Sequence, residues 1–211
     1  MINYISEITS STAGFEILEE RVNPTSTWKS LKIRGIFQRA DSKNQNGRIY
    51  PYKVLEAALQ EANEALVKHQ MLGEVDHPAD QSPIVSLKNA SHVVTSLKFQ
   101  GKDMIGEALV FDDPGPAGTP GGRILGALIR NNCTVGISSR GYGSVTENYD
   151  GTVVDQYKLV TFDAVNDPST QKAFLEPVNE NIDFNTQIRL EVQRKELLDS
   201  LRSEFSSMFK K

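Results

Sequence analysis

Cysteine occurs once in 211 residues, at Cys133, which excludes an intrachain disulfide and any multi-thiolate metal centre. Histidine is almost as scarce, at His69, His77 and His92, so each can be weighed individually. No apolar run approaches the roughly 20 residues of a membrane span. Met1-Ile2-Asn3-Tyr4-Ile5-Ser6-Glu7 has neither the basic region nor the apolar stretch of a secretory signal. A soluble, intracellular protein with no membrane partner is expected. There is no dense Lys/Arg block either: 23 basic side chains face 27 acidic ones, a net charge of −4, which leaves no electrostatic footprint for a nucleic acid. What is present, 38% hydrophobic and 24% charged residues, suits a folded domain of ordinary size.

Residues 1–25 are mixed and polar with no sustained period, and read as a loosely packed or mobile arm. From Trp28 to Ala40 the alternation of Leu31, Ile33, Gly35 and Phe37 predicts a strand, followed by a turn at Asn46-Gly47. After Tyr50-Pro51, Val54, Leu55, Ala58, Leu59, Ala62 and Leu66 recur at helical spacing, predicting a helix to about Lys68. Ile84–Phe99 and Met104–Phe111 read as a hairpin across Gln100-Gly101-Lys102-Asp103. The Gly/Pro-dense stretch 112–122 is a loop, and it lacks the residues of a phosphate-binding motif. A helix with Ile124, Leu125, Leu128 and Ile129 on one face follows. Strands are expected at Val135–Ser139, Tyr142–Thr146 and Thr152–Phe162.

Too few βαβ units are present for a doubly wound sheet, so the expected class is α+β, a small, mostly antiparallel β-barrel flanked by helices. Past Pro177 the composition shifts to a charged tail with Leu190, Leu197, Leu201 and Phe205 on one side, an amphipathic helix. The expected division is an arm over 1–25, a central domain over 26–177 and a helical tail over 178–211.

Two segments could carry chemistry. In Gly73-Glu74-Val75-Asp76-His77-Pro78 a histidine flanked by carboxylates ends an apolar run. In Val135-Gly136-Ile137-Ser138-Ser139-Arg140-Gly141-Tyr142-Gly143-Ser144 two hydroxyls sit in an apolar strand whose small neighbours allow another chain close to the backbone. A serine becomes a nucleophile when a base takes its proton, and His77 is a candidate base. The plainer reading is a solvated histidine and a hydrogen-bonded serine pair, since a triad is recognised by geometry rather than by spacing. Cys133, in apolar surroundings with no neighbouring base, reads as a buried small hydrophobe, and His69 as a solvated helix-end residue.

Arg34-Gly35-Ile36-Phe37, Asn46-Gly47-Arg48-Ile49-Tyr50-Pro51, the Leu72–Pro78 block, the Gly136–Ser144 block and Asp163-Ala164-Val165 with Asp167-Pro168-Ser169 occur in an order that resembles the prohead core proteases of tailed bacteriophages, in their T-even-like branch. The resemblance covers about residues 30–177. It implies a serine endopeptidase of the herpesvirus-assemblin type of fold, without metal or cofactor. Such an enzyme acts inside the prohead, within the host cytoplasm, on scaffold and core proteins, the major capsid protein and itself. Self-association into a homo-oligomer is compatible with it. The family's histidine falls on His77 and its nucleophile on Ser138, which leaves Ser139 on the opposite face of the strand.

Backbone N–H groups near Arg140 and Gly141, with help from the Arg140 side chain, are the expected oxyanion donors. The herpesvirus enzymes orient the first histidine with a second, but the matching stretch Leu159-Val160-Thr161-Phe162-Asp163 holds none. Asp163 is the substitute, His92 its rival, and Asp76 is too near His77 in sequence to be favoured. Proteases of this branch favour cleavage after Glu with an aliphatic residue two positions before. Ile5-Ser6-Glu7, Leu18-Glu19-Glu20 and Val178-Asn179-Glu180 fit, making Glu7, Glu20 and Glu180 candidate self-cleavage positions. The 184–209 segment is a candidate to cover the site in a precursor. The alternative function is a non-catalytic assembly or scaffold protein on the same fold. A small-molecule esterase fits poorly, because Arg140 stands where a Gly-x-Ser-x-Gly elbow needs its second glycine.

Overall fold

The computed structural model describes residues 3–9, 16–20, 28–44, 46–149 and 151–166, with the first two segments described by their backbone pairing. All belong to the compact unit Met1–Pro177. Residues 178–211, including the expected tail helix and Glu180, lie outside the described residues.

In chain order the elements are β1 (Asn3–Thr9), β2 (Glu16–Glu20), β3 (Ser30–Arg39), β4 (Arg48–Ile49), α1 (Tyr52–Val67), β5 (Leu72–Glu74), β6 (Ala90–Gln100), β7 (Asp103–Val110), α2 (Pro120–Arg130), β8 (Gly136–Asn148) and β9 (Gly151–Val165). They form a four-stranded sheet, β1-β8-β9-β4, and a five-stranded sheet, β2-β3-β7-β6-β5. The expected mostly antiparallel arrangement of strands with two helices is present, and among the described residues the strands form two sheets without closing into a barrel. The sheets touch edgewise at one parallel bridge, Val75 to Ala164, where the chain leaving β5 meets β9. Within the segment that the sequence suggests as an arm, β1 pairs with β8 and β2 with β3, each antiparallel.

The core lies between the sheets and under the helices. Phe37 of β3 meets Phe162 of β9 edge to face at 5.1 Å, and Tyr50 meets Tyr157 at 5.2 Å. Helix α1 buries Leu55, Ala58, Ala62 and Leu66, the stripe that its sequence period predicts. The Asp41 carboxylate accepts from the Tyr52 N–H at the start of α1, which holds Asp41 below the usual carboxylate range. Helix α2 opens on Thr119, whose hydroxyl accepts from the Gly122 N–H ahead of Pro120.

The apolar face of α2 differs from the expected one: Leu125 and Ile129 are buried, but Ile124 and Leu128 are exposed. Gly122 and Gly126 complete the buried face, because the Phe111 backbone and the Asp112 side chain pass where their Cβ atoms would stand. Cys133 is exposed rather than buried, since it follows the surface turn that ends α2 and its N–H returns to the Leu128 carbonyl.

Two strand boundaries also change. β6 begins at Ala90, not Ile84, because Asp80-Gln81-Ser82-Pro83 belongs to a loop that leaves Ile84 and Leu87 exposed. The two strands expected over 135–146 are one, continuous past Gly141 and Gly143. The β9 backbone and the Tyr157 ring crowd the positions a side chain would take there, with Gln156 O within 1.8 Å of a Cβ on Gly143.

Candidate active site

β8 and β9 pair with Ser138 directly opposite Asp163. Opposed residues of an antiparallel pair share a face, so register alone brings this hydroxyl and this carboxylate together. Two residues along, Arg140 lies on the same face by the period of the strand. Gly73 and Glu74 pair with β6, and the chain then leaves the sheet through Val75, with the Asp76 N–H on the Ala164 carbonyl at 2.7 Å. Asp76 has a φ of 62°, a left-handed turn that delivers His77 above the Ser138–Asp163 pair.

His77 joins the two. Its Nε2 lies 2.5 Å from Ser138 Oγ and its Nδ1 lies 2.7 Å from Asp163 Oδ2. With the proton on Nδ1, the imidazole donates to the carboxylate and accepts from the hydroxyl. Ser138 and Asp163 are fully buried, and the His77 side chain is 20% exposed. Ser139 is also buried, and its Oγ has no partner among the described residues, in keeping with its opposite orientation.

The second oxygen of Asp163 is equally occupied: Oδ1 accepts from the Glu74 N–H at 3.0 Å and from Arg140 Nη2 at 2.9 Å. Arg140 is fully buried. Its Nε approaches Asp163 Oδ2 at 2.9 Å, and its Nη2 also donates to Glu74 Oε1 at 3.0 Å. Its Nη1 donates to the Ser82 and Ile84 carbonyls. The guanidinium is thus committed to carboxylates and to the loop after His77, which removes its side chain from the expected oxyanion role. Gly141 follows at an irregularity in the ladder between Arg140 and Gly141.

His92, the rival third residue, makes no contact of this kind. Its Nε2 donates to the Phe162 carbonyl at 3.0 Å and its Nδ1 accepts from the Ser91 hydroxyl at 2.8 Å. Complete burial pushes its pKa down, outweighing the nearby Asp163 charge. Gly73 leaves it room, since a Cβ there would stand 2.2 Å from both His92 Nε2 and Phe162 O. Sequence reasoning assigned no role to Glu74. Its signal was a carboxylate in an apolar strand three residues before the histidine. It is 1% exposed, with Oε1 also taking the Ser86 N–H at 2.8 Å and Oε2 taking the Asn89 amide at 3.3 Å.

A hydroxyl, an imidazole and a buried carboxylate linked in this order can carry out nucleophilic acyl transfer. The comparisons with known proteins point the same way. The family model of the prohead core protein serine protease matches residues 8–183. The prohead core protein protease of Enterobacteria phage T4 is 38% identical over 152 residues, covering 70% of this chain and 68% of that one. The solved structure of the bacteriophage T4 capsid assembly protease matches with a TM-score of 0.67 and 30% identity, over 79% of this chain and 99% of that one. The matched segment begins at Ile8, near the end of β1, and takes in all of β2. It also holds Ser138, His77 and Asp163, and the chain belongs to the prohead core protein serine protease family of bacteriophage capsid assembly.

Proposed function

We propose that the chain is a serine endopeptidase of phage prohead maturation in which Ser138 is the nucleophile, His77 the general base and acid, and Asp163 the group that orients and stabilises the imidazolium. The observation that carries this reading is the unbroken chain from Ser138 Oγ through His77 to Asp163, at 2.5 and 2.7 Å. His77 takes the serine proton as Oγ attacks the peptide carbonyl, then gives it to the leaving amine; water repeats the sequence to release the acyl group. Backbone N–H groups at Arg140 and Gly141, where the ladder shifts register, are the proposed oxyanion donors. Each such donor is worth about 3 kcal/mol of transition-state stabilisation.

The substrates are the phage scaffold and core proteins and the major capsid protein, inside the prohead, cut after Glu with an aliphatic residue two positions earlier. The arm itself carries such a pattern. In the β1–β8 register Glu7 lies opposite Ser139 and Ile8 opposite Ser138, so the Glu7–Ile8 peptide runs beside the nucleophile. That placement supports Glu7 as a self-cleavage position; Glu20 and Glu180 are carried by the pattern alone.

A non-catalytic assembly protein on the same fold is the alternative. The hydrogen-bond reach between Ser138 and His77 favours catalysis. Incubation with scaffold protein from the same phage tests the choice: wild type cuts it after Glu, and Ser138→Ala and His77→Ala leave it whole. Cleavage unaffected by both substitutions, or none by wild type, contradicts the proposal.

A further inference from the structure

The negative charge behind His77 is not supplied by Asp163 alone. Arg140 lies against both oxygens of that carboxylate, and a guanidinium so placed neutralises much of the field that Asp163 would exert on an imidazolium. Glu74 stands on the other side of the same guanidinium, with Nη2 shared between the two carboxylates. All three side chains are buried, at 0%, 2% and 0% exposure for Arg140, Glu74 and Asp163, so solvent does little to screen them. Two carboxylates against one guanidinium leave one unit of negative charge facing His77. A protonated His77 would bring the cluster to neutrality, and that protonation accompanies serine attack.

We infer that Glu74 is a positioning residue for the His77–Asp163 pair, acting through Arg140 by restoring the negative charge that Arg140 withdraws from Asp163. The inference rests on the proposed roles of Ser138, His77 and Asp163. The same pair ties down the segment that carries His77: Arg140 holds the Ser82 and Ile84 carbonyls, and Glu74 holds the Ser86 N–H and the Asn89 amide. Structural need alone would not call for charges here, because apolar residues of similar volume often stabilise a buried site as well as an ion cluster does.

The groups around His77 come from several elements. Asp163 lies on β9, Arg140 on β8 and Glu74 on β5, while His92 on β6 is kept neutral by burial. Asp76, next to His77 in the chain, is exposed and screened by solvent.

The test is the rate at which a fluorophosphonate probe labels Ser138, followed against pH in the full chain. Wild type is expected to label with an acid limb that reports protonation of His77. Glu74→Gln keeps the shape and loses the charge, so its limb moves to lower pH by about one unit, and its plateau rate falls about tenfold. Glu74→Asp keeps the charge and shortens the reach, so its limb stays in place while the plateau falls. A Glu74→Gln limb that stays with wild type overturns the inference. If Glu74→Gln does not fold, Glu74→Asp decides: a displaced limb overturns the inference, and a limb in place with slower labelling supports it. Wild type that fails to label at Ser138, or labels with no acid limb, overturns instead the reading of Ser138 and His77 on which the inference stands.

Discussion

The β8–β9 ladder has two unlike ends. At one end, Ser138, Ser139, Arg140, Thr161 and Asp163 are polar and wholly buried. At the other end, polar groups meet in solvent: Thr146 donates to Asp155 at 2.7 Å and Thr152 to Glu147 at 3.3 Å, both on the exposed surface. Both ends belong to one antiparallel ladder, from Gly136 with Val165 to Asn148 with Gly151, with register shifts at Arg140/Gly141 and Ser144/Val145 along the way. What separates them is coverage. The chain leaving β5 bridges to Ala164 and its loop meets the Arg140 guanidinium at the first end, whereas at the second end β4 pairs with Thr152 and Val153 and leaves Thr146, Glu147 and Asp155 exposed. Buried polar groups are tolerable only when their hydrogen-bonding capacity is met. At the first end Arg140, Thr161 and Asp163 meet it in a network whose edge is His77, while Ser139 Oγ has no partner among the described residues; the second end relies on water.

Substitutions at the covered end are therefore expected to be severe and those at the open end mild. The largest effect falls on Asp163→Asn, which disturbs the imidazole tautomer that Asp163 selects. Turnover of a Glu-containing peptide substrate should fall about 10⁴-fold, and a loss of under tenfold would remove Asp163 from the mechanism.

Next is Gly73→Ala. Its methyl group meets His92 and the Phe162 carbonyl, and urea denaturation should register a loss of about 1–3 kcal/mol. Unchanged stability would mean that the two sheets are not held this closely.

A pH effect follows from His92. Because burial lowers its pKa in the folded protein, the unfolded chain binds the extra proton, and stability rises with pH across that window. The contribution is complete above about 6.5, the unperturbed value, and is lost as pH falls from there toward the lower folded value. His92→Gln should flatten the fall in denaturation midpoint between those limits; identical slopes would show that His92 does not stay neutral. The smallest effect is expected at the open end, where Thr146→Val should change stability by at most about 0.5 kcal/mol.

The same contrast explains what was legible beforehand. Helix α1 could be read because its buried residues keep the helical period, and the pairing of Ser138 with His77 because their blocks stand in a recognisable order. The resemblance favours Asp163 for its place in the stretch that matches the family's second histidine, and in the β8–β9 ladder Asp163 pairs with Ser138. The partners of the Arg140 side chain are not legible, because spacing puts Arg140 beside the nucleophile but cannot tell which neighbours a long side chain will find. Glu74 escapes notice for the same reason: its carboxylate meets the Arg140 guanidinium, 66 positions away in the chain. The two strands of the arm were missed because β1 and β2 have no alternation of their own and take their form from the edges they join. α2 misled because three of its buried positions are glycines, which carry no hydropathic signal.

The central claim is that Ser138 is a nucleophile activated by His77. Intact-mass analysis of the protein after treatment with a fluorophosphonate, with the adduct mapped by peptide sequencing, addresses it directly. One adduct on Ser138, absent in Ser138→Ala and strongly slowed in His77→Ala, is the predicted result. Labelling at another residue, or labelling of Ser138 that proceeds unchanged without His77, would contradict it.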